Sequence, residues 1–453
     1  MALSADVVWE VRTDGDDNNG GGFNSASSGT DYSQQAAAQL TVTDAATSAV
    51  GSTTLTSATG GFTAAMVGNV VHLYGGTNLT AGWYEITGYT DGNTVTLDRA
   101  PDDGVGGVSG ATCKVGGALA SPGGLGAALA NAAVDGHEAW IKSGTYTLSS
   151  GSANVSGGPL SLPNAVLLRV KGYDVTRGDS SAKPIIFAGA VTGVTIINIA
   201  AYFNNSQQTV ENIEVDGNSG LGNNGIGTSG SSYRQAHIIN CVARNCPGYG
   251  FGKSGNPDLQ IHHCYAYNCG TGVRAEGAIN CISESCTNGF ETSTLSGTFV
   301  KCVATGCVTG FLMANSSGYA SLAWGCTAYN CTDGFIWPSY DMGTCIECIA
   351  VGCAGYGYNT HTTLIGAVVY RCTGYNNTLG TFRSNFTPRE PITITADPFI
   401  DAAGGDFRLN NDPNGGALLK GAGLGVYGQI DNQDVGAVQT AKQLGGSVGR
   451  LIF

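Results

Sequence analysis

Between residues 241 and 377 the chain alternates small apolar and polar positions in short runs, and the runs recur. The recurring phrase is a cysteine, any residue, a small residue, any residue, then Asn, Gly or Ser and a second cysteine, closing on Gly and an aromatic. Six full copies run Cys241–Cys246, Cys264–Cys269, Cys281–Cys286, Cys302–Cys307, Cys326–Cys331 and Cys348–Cys353, and a seventh decays at Cys372–Asn377. Successive copies start 23, 17, 21, 24, 22 and 24 residues apart. A unit this short cannot bury its apolar face alone and must stack on its neighbours, which predicts a β-solenoid.

Alternation along a strand assigns faces. It puts Ile239 with Cys241 and Ala243, Val300 with Cys302 and Ala304, Trp324 with Cys326 and Ala328, and Ile346 with Cys348 and Ala350 on the interior side. His262 falls in the same inward column. Phe251, Val273, Phe290, Phe311 and Phe335 form a second interior stack on a neighbouring strand. Asn245, Asn268, Asn330 and Asn376 sit at a bend, where stacked amides can satisfy backbone groups. Outward, beside the first cysteine, stand Val242, Tyr265, Ile282, Val303, Thr327, Ile349 and Thr373. So apolar a stripe either calls for cover by another chain or a loop, or reflects the preference of branched residues for strands. The next outward column is Arg244, Tyr267, Glu284, Thr305, Tyr329, Val351 and Tyr375, with no acidic cluster.

The flanks read differently. Residues 1–37 hold turn formers, notably Asp14–Phe23, and are expected to be a loop or attachment arm. Residues 38–117 carry short alternating runs, with an Asp91-Gly92-Asn93 hairpin turn, and predict a small β domain. Residues 121–135 predict the one helix, capped by Ser121 and plugging the first rung. A β-helix is expected over 118–410, with about 12 rungs between 138 and 410. Early rungs fall at Val166–Gly172, Val194–Ile199 and Ile213–Gly217, the last at Asp406–Leu409, and a cap or tail over 411–453.

Composition narrows the function. Of 453 residues 12% are charged and 71 are Gly, too apolar for disorder and too turn-rich for a helical protein. A formal net charge of −13 excludes a general binder of nucleic acid or anionic membrane, and argues mildly against a highly anionic polysaccharide. No run of 18 apolar residues predicts a membrane span. The first nine residues lack the basic and apolar regions of a secretory signal, so assembly in a cytoplasm, or a signal removed, is expected. Thirteen of 15 cysteines fall in the repeat columns, with Cys113 and Cys345 outside. One thiol per column and rung reads as stacked, reduced, buried side chains. Neither zinc spacing nor a histidine column accompanies them, so no metal and no cofactor is expected.

The segment Glu138-Ala-Trp-Ile-Lys-Ser-Gly-Thr-Tyr146 resembles the opening rung of the pectin-lyase-like right-handed β-helix superfamily, which often carries V-x-x-G-x-Y there. The Cys–Asn–Gly–Phe rungs resemble its repeats, and Asp397–Asp401, Asp406–Leu409 and Asp434–Val438 are similar to its closing sequence. The resemblance implies an all-β chain built on a right-handed, single-stranded parallel β-helix. Activity stays open, since the superfamily holds lyases, hydrolases, epimerases, adhesins and phage tailspikes. The N-terminal Trp9-Glu-Val-Arg-Thr-Asp-Gly15, with the Gly-rich loop after it, resembles the head of phage structural proteins.

The motifs that such enzymes carry are missing: paired Asp with Gly-His-Gly and Arg-Ile-Lys, an Asp cluster with an Arg base, and Asp-Pro-His. Isolated groups remain as catalytic candidates. Glu214 and Asp216 project on one side, as a carboxylate pair for glycoside hydrolysis would. Arg274 and Glu276 lie two apart, which a lateral ion pair also explains. Trp337 and Tyr340 in the loop 337–342, with Tyr267, Tyr329 and Tyr375, are candidates for stacking on sugar or anchoring a chain. These features favour a non-enzymatic virion surface protein, a capsid decoration or tail spike. It would attach to other virion proteins through residues 1–117 and bind host-surface polysaccharide or neighbouring virion proteins. A homotrimer is expected, with the apolar stripe and Arg450–Phe453 near its contacts. The alternative is a polysaccharide lyase or glycoside hydrolase, such as a tailspike depolymerase; a second is a secreted adhesin.

Overall fold

The computed structural model describes residues 3–164, 166–199, 207–220, 222–228, 236–252, 259–292, 297–313, 321–338, 343–360, 367–384, 386–422 and 436. The chain divides into two compact units, Met1–Asn218 and Ser219–Phe453.

In the second unit each turn of chain contributes three short strands, for example Leu259–His262, Tyr265–Tyr267 and Thr271–Ala275. Strands of equal rank stack parallel and in register: Ile261 on Ala278, Ala266 on Ser283, Phe290 on Phe311. They form a first, second and third sheet, with seven, seven and eight strands from this unit. This is the architecture of a right-handed parallel β-helix. Two corners of each turn, from first to second strand and from second to third, are each made by one residue with positive φ. Between first and second strands it is Asn240 (51°), His263 (56°), Asn280 (54°), Lys301 (51°), Gly325 (58°), Glu347 (56°) or Arg371 (51°). Between second and third it is most often Asn, as at Asn245 (55°), Asn268 (52°), Asn330 (51°) and Asn376 (53°). Asn tolerates this left-handed region because its short amide bonds locally. Here Asn268 Nδ2 also donates to Asn245 Oδ1 at 2.9 Å.

A left-handed residue resets the alternation, and this corrects the faces of the first strand. Ile239, Val300, Trp324 and Ile346 are half-buried on the outer side, whereas Ile238, Phe299, Ala323 and Cys345 are fully buried inside. His262 likewise lies outside, its ring stacked on His237 at 6.2 Å between centroids. Cys345 is thus part of the interior. All 15 cysteines are free and buried. The first of each pair follows one corner and the second follows the next. Their thiols point at backbone carbonyls one turn back: Cys302 at Ala278 O (3.4 Å), Cys326 at Phe299 O (3.3 Å), Cys331 at Ala304 O (3.7 Å). A thiol is small and apolar enough for the corner and still a weak donor. The third sheet carries the aromatic stack inside. Phe290, Phe311, Phe335, Tyr358 and Phe382 succeed one another at 4.8, 4.6, 5.0 and 5.0 Å, their planes within 25° of parallel.

The apolar outward stripe is covered by the chain itself. Val242, Tyr265, Ile282, Val303 and Ile349 form one buried cluster with Ile394, Phe399, Phe407, Leu409 and Leu419. Phe399–Asp401 and Asp406–Leu409 pair antiparallel, so the segment expected to be the last rung is a hairpin instead. Among the described residues of both units ten three-stranded turns are present, from Glu138 to Phe382, rather than about 12. Arg450–Phe453 lie outside the described residues.

In the first unit, residues 1–37 are not simply a loop. Val7–Val11 adds a parallel strand to Glu138–Lys142, and Trp9 is fully buried. Glu10, also buried, pairs with Arg177 at 2.7 Å, which reaches Asp31 at 3.0 Å. Six antiparallel strands between Leu40 and Val115 make the small β sheet, with a hairpin turning at Gly92–Asn93. The helix spans Pro122–Ala132, and Ser121 Oγ accepts from Gly124 N at 3.0 Å.

Burial makes the inner and outer faces testable. Cys302→Asp places a carboxylate where exposure is 0% and should cost at least ~3 kcal/mol. Val308→Asp, at a site 54% exposed, should stay within ~0.5 kcal/mol. Denaturant unfolding of both variants checks the pair, and equal tolerance would overturn the assignment of Cys302 to the interior and Val308 to the surface. A pH dependence is expected from His137, which accepts from Trp9 Nε1 at Nδ1 (3.1 Å) and faces Ser4 O with Nε2 (2.8 Å). That network fits only the neutral ring. Burial holds its pKa below the ordinary 6.5, against the pull of Ser4 O. Its contribution is complete above pH 6.5 and is lost as pH falls below that value toward the depressed one, because the unfolded state then binds the extra proton. The melting temperature should drop on acidification through this window, and His137→Gln should flatten the dependence.

Candidate functional site

The second sheet of the Ser219–Phe453 unit brings together the most chemically varied outward column. Arg244, Tyr267 and Glu284 are successive partners in register. At ~4.8 Å per strand, Arg244 and Glu284 stand about 10 Å apart along the backbone, with Tyr267 between them. The left-handed corners at Asn245, Asn268 and Ser285 end each strand just past these residues, which fixes them at the sheet edge. Tyr267 is 40% exposed and lies beside Tyr265, ring centroids 6.4 Å apart and planes 26° from parallel. Tyr265 is buried, and its hydroxyl donates to Glu284 Oε2. Burial raises the Tyr265 pKa, and the hydrogen bond and charge of Glu284 raise it further, so this hydroxyl stays protonated and oriented.

Further along the column the character changes. Thr305 is half-buried, and Tyr329 meets Phe399 and Phe407 edge-on at 6.4 and 5.6 Å. Tyr375 packs against the same C-terminal cluster. Tyr329 and Tyr375 are therefore anchors for the covering segment rather than open platforms. Trp337 is fully buried, with Phe386 edge-on at 5.2 Å, because the strand Asp333–Trp337 runs one residue further than a loop starting there would allow. Tyr340 lies outside the described residues.

Among the acidic and basic candidates, Glu214 and Asp216 do flank Val215 on the outward side of their strand. Both are nearly removed from solvent, at 4% and 8% exposure. Asp216 accepts from Asn218 N at 2.9 Å. Arg274 pairs across the third sheet with Glu291 at 3.4 Å and donates to Tyr249 Oη at 2.8 Å, which serves to join neighbouring turns. Glu276 is half-buried, its carbonyl accepting from Thr298 N at 2.8 Å. Sequence reasoning named Tyr267 and passed over Arg244 and Glu284, because each motif it sought required several acids together. The available signal was Arg, Tyr and Glu at one repeat position in three successive copies. Among the described residues no group of three or more His, Cys, Asp or Glu is arranged to hold a metal ion. No helix among them is long and apolar enough to cross a membrane.

No protein-family model matches the chain, and no curated protein matches it. Solved structures do. Pectate lyase Pel9A is similar at 14% identity and a TM-score of 0.44, covering 68% of this chain and 89% of its own. A thermostable GH87 α-1,3-glucanase from Streptomyces thermodiastaticus is similar at 12% identity and a TM-score of 0.31, covering 77% and 86%. The tailspike protein gp49 from Pseudomonas phage LKA1 follows at 13% identity and 0.18, covering 80% and 64%. The likeness agrees with the parallel β-helix fold that the stacked sheets already show. The expectation of a non-enzymatic virion surface protein is withdrawn, since the similar structures include a lyase and a glucanase; the polysaccharide-active alternative is taken up below as a proposal. The likeness is one of fold, so the chemistry has to be argued from the side chains.

Tyr265→Phe keeps the buried ring and removes the donor to Glu284. A hydrogen bond to a charged group contributes about 1.5–3 kcal/mol, and the partial exposure of Glu284 puts the expected loss at the lower end. Chemical denaturation of the variant measures it.

Proposed function

We propose that this chain acts on a polysaccharide and cleaves it by elimination at the Arg244–Tyr267–Glu284 column. One observation carries the reading: a cation, an exposed aromatic ring and an oriented carboxylate occupy one register position in three successive turns. The exposed ring of Tyr267 offers a face for a sugar. Arg244 supplies the positive charge that a uronate carboxyl needs when a proton leaves the neighbouring ring carbon. Glu284, held by the Tyr265 hydroxyl, is the group that accepts this proton. The electron pair left on carbon forms a double bond, the glycosidic C–O bond breaks, and the Tyr267 hydroxyl is the exposed donor for the leaving oxygen.

Two-carboxylate hydrolysis fits less well. It needs acids about 5–9.5 Å apart. Among the described outward positions of the second sheet in this unit, Glu284 is the one carboxylate. Such a substrate is met outside cells, whether the protein is free or carried on a virion.

The test is a panel of uronate-containing and neutral polysaccharides, read by the ultraviolet absorbance of unsaturated ends and, separately, by new reducing ends. Elimination predicts both signals on a uronate polymer. Glu284→Gln should lower the rate by about 10²–10⁴-fold with the fold intact; Tyr267→Phe, which keeps the ring and removes the proton donor, should lower kcat with KM little changed, and Tyr267→Ala should lower kcat and raise KM as well. Reducing ends without unsaturation would overturn elimination, and an unaltered rate in Glu284→Gln would overturn the site.

A further inference from the structure

The Met1–Asn218 unit contains an open cavity of about 390 Å³ in which the elimination chemistry has no part. Four segments converge on it: the loop Gly15–Asn18, strands carrying His72 and Trp83, the first turns of the helix, and Ser156. One wall is aromatic, formed by His72 and Trp83, which are 9% and 8% exposed. His72 stacks on Trp83 with centroids 4.1 Å apart and planes 1° from parallel. Both rings are held at an edge by the neighbouring loop: His72 Nδ1 by Asn18 O at 3.0 Å, and Trp83 Nε1 by Asn19 O at 3.2 Å. Holding Nδ1 against a carbonyl makes it the protonated nitrogen and leaves Nε2 as an acceptor.

Asp16 and Asp17 also line the cavity, already fixed. Asp16 accepts from Asn18 N (2.9 Å), Asn18 Nδ2 (3.1 Å) and Lys114 Nζ (2.5 Å). Asp17 accepts from Ala120 N (2.8 Å), Ser121 N (2.9 Å) and Ser121 Oγ (2.6 Å). A carboxylate has about four acceptor positions, so each retains about one. Their charges are already balanced, Asp16 by Lys114 and Asp17 by the helix N-terminus it faces. What remains is acceptor capacity without demand for a cation, beside an aromatic wall.

We propose that this cavity binds a single neutral sugar ring, whose hydroxyls donate to Asp16, Asp17 and His72 and whose C–H face lies against the His72–Trp83 wall. The proposal stands apart from the elimination site and survives its failure. A sugar acid would bring an acceptor-only carboxylate to a site whose remaining capacity is also for accepting, and is disfavoured.

The experiment uses the full chain and saturation-transfer NMR with glucose, galactose, mannose and N-acetylglucosamine, and with glucuronate as the charged counterpart. At least one neutral sugar should bind, and glucuronate should bind at least roughly tenfold more weakly. Ala127→Leu fills the cavity from a half-buried position of the helix and should abolish transfer while leaving the unfolding midpoint in place. If that variant melts early, Ser156→Trp at the exposed mouth decides instead. Three results would each overturn the proposal: no transfer to any neutral sugar, equal binding of glucuronate, or transfer unchanged in the folded variant.

Discussion

The left-handed residue at two corners of every turn is the constraint from which the second unit follows. Residues such as Asn240 and Asn245 bend the chain between sheets without spending a loop, so a turn of the helix fits in about 22 residues. The cysteine that follows suits the bend in two ways. It is small enough to sit inside the bend, and its thiol points at a carbonyl one turn back, as Cys302 does at Ala278 O. Serine would bring a stronger donor with a larger desolvation cost, and alanine would bring none. The repeat phrase is therefore a corner motif read twice per turn, and the sheets are what lies between corners.

This explains what the sequence disclosed and what it hid. The repeat, the third-sheet stack from Phe251 to Phe335, the capping helix and the small β sheet were all legible, because each depends on a local period or a turn signal. Faces of the first strand were not. Alternation was carried from Ile239 through Asn240 to Cys241 as if the strand were continuous, whereas φ at Asn240 is 51° and the count restarts there. One residue of phase moved Ile239 and His262 outward and Ile238 and Cys345 inward. The hairpin at Phe399–Leu409 was hidden for another reason. Its strands have the same composition as a rung, and only their antiparallel partnership distinguishes them.

The outward stripe shows how a nonlocal contact escapes a local reading. In the sequence, Val242, Tyr265, Ile282, Val303 and Ile349 are compatible with cover by another chain, cover by a loop, or mere strand preference, and the structure buries them in one cluster with C-terminal residues. The cover is the C-terminal segment of the same chain, and the case for a trimer built on that stripe loses its premise. The same segment claims Tyr329 and Tyr375, two of the rings proposed for sugar, and burial inside the turn claims Trp337. Among the described residues, Tyr267 is the ring of that set left open.

Exposure and chemistry then coincide at one place for a physical reason. A column that must hold down a covering segment is best apolar or aromatic, and from Tyr329 to Tyr375 it is. Where the column carries Arg244 and Glu284, apolar cover would strand two charges, so the cost of desolvation keeps that stretch open. Tyr265 belongs to both regimes. Its ring is counted in the buried cluster, while its hydroxyl reaches Glu284. That single side chain ties the orientation of the carboxylate to the integrity of the covered face. Loosening the C-terminal segment should therefore disturb Glu284 although no residue of that segment need touch a substrate.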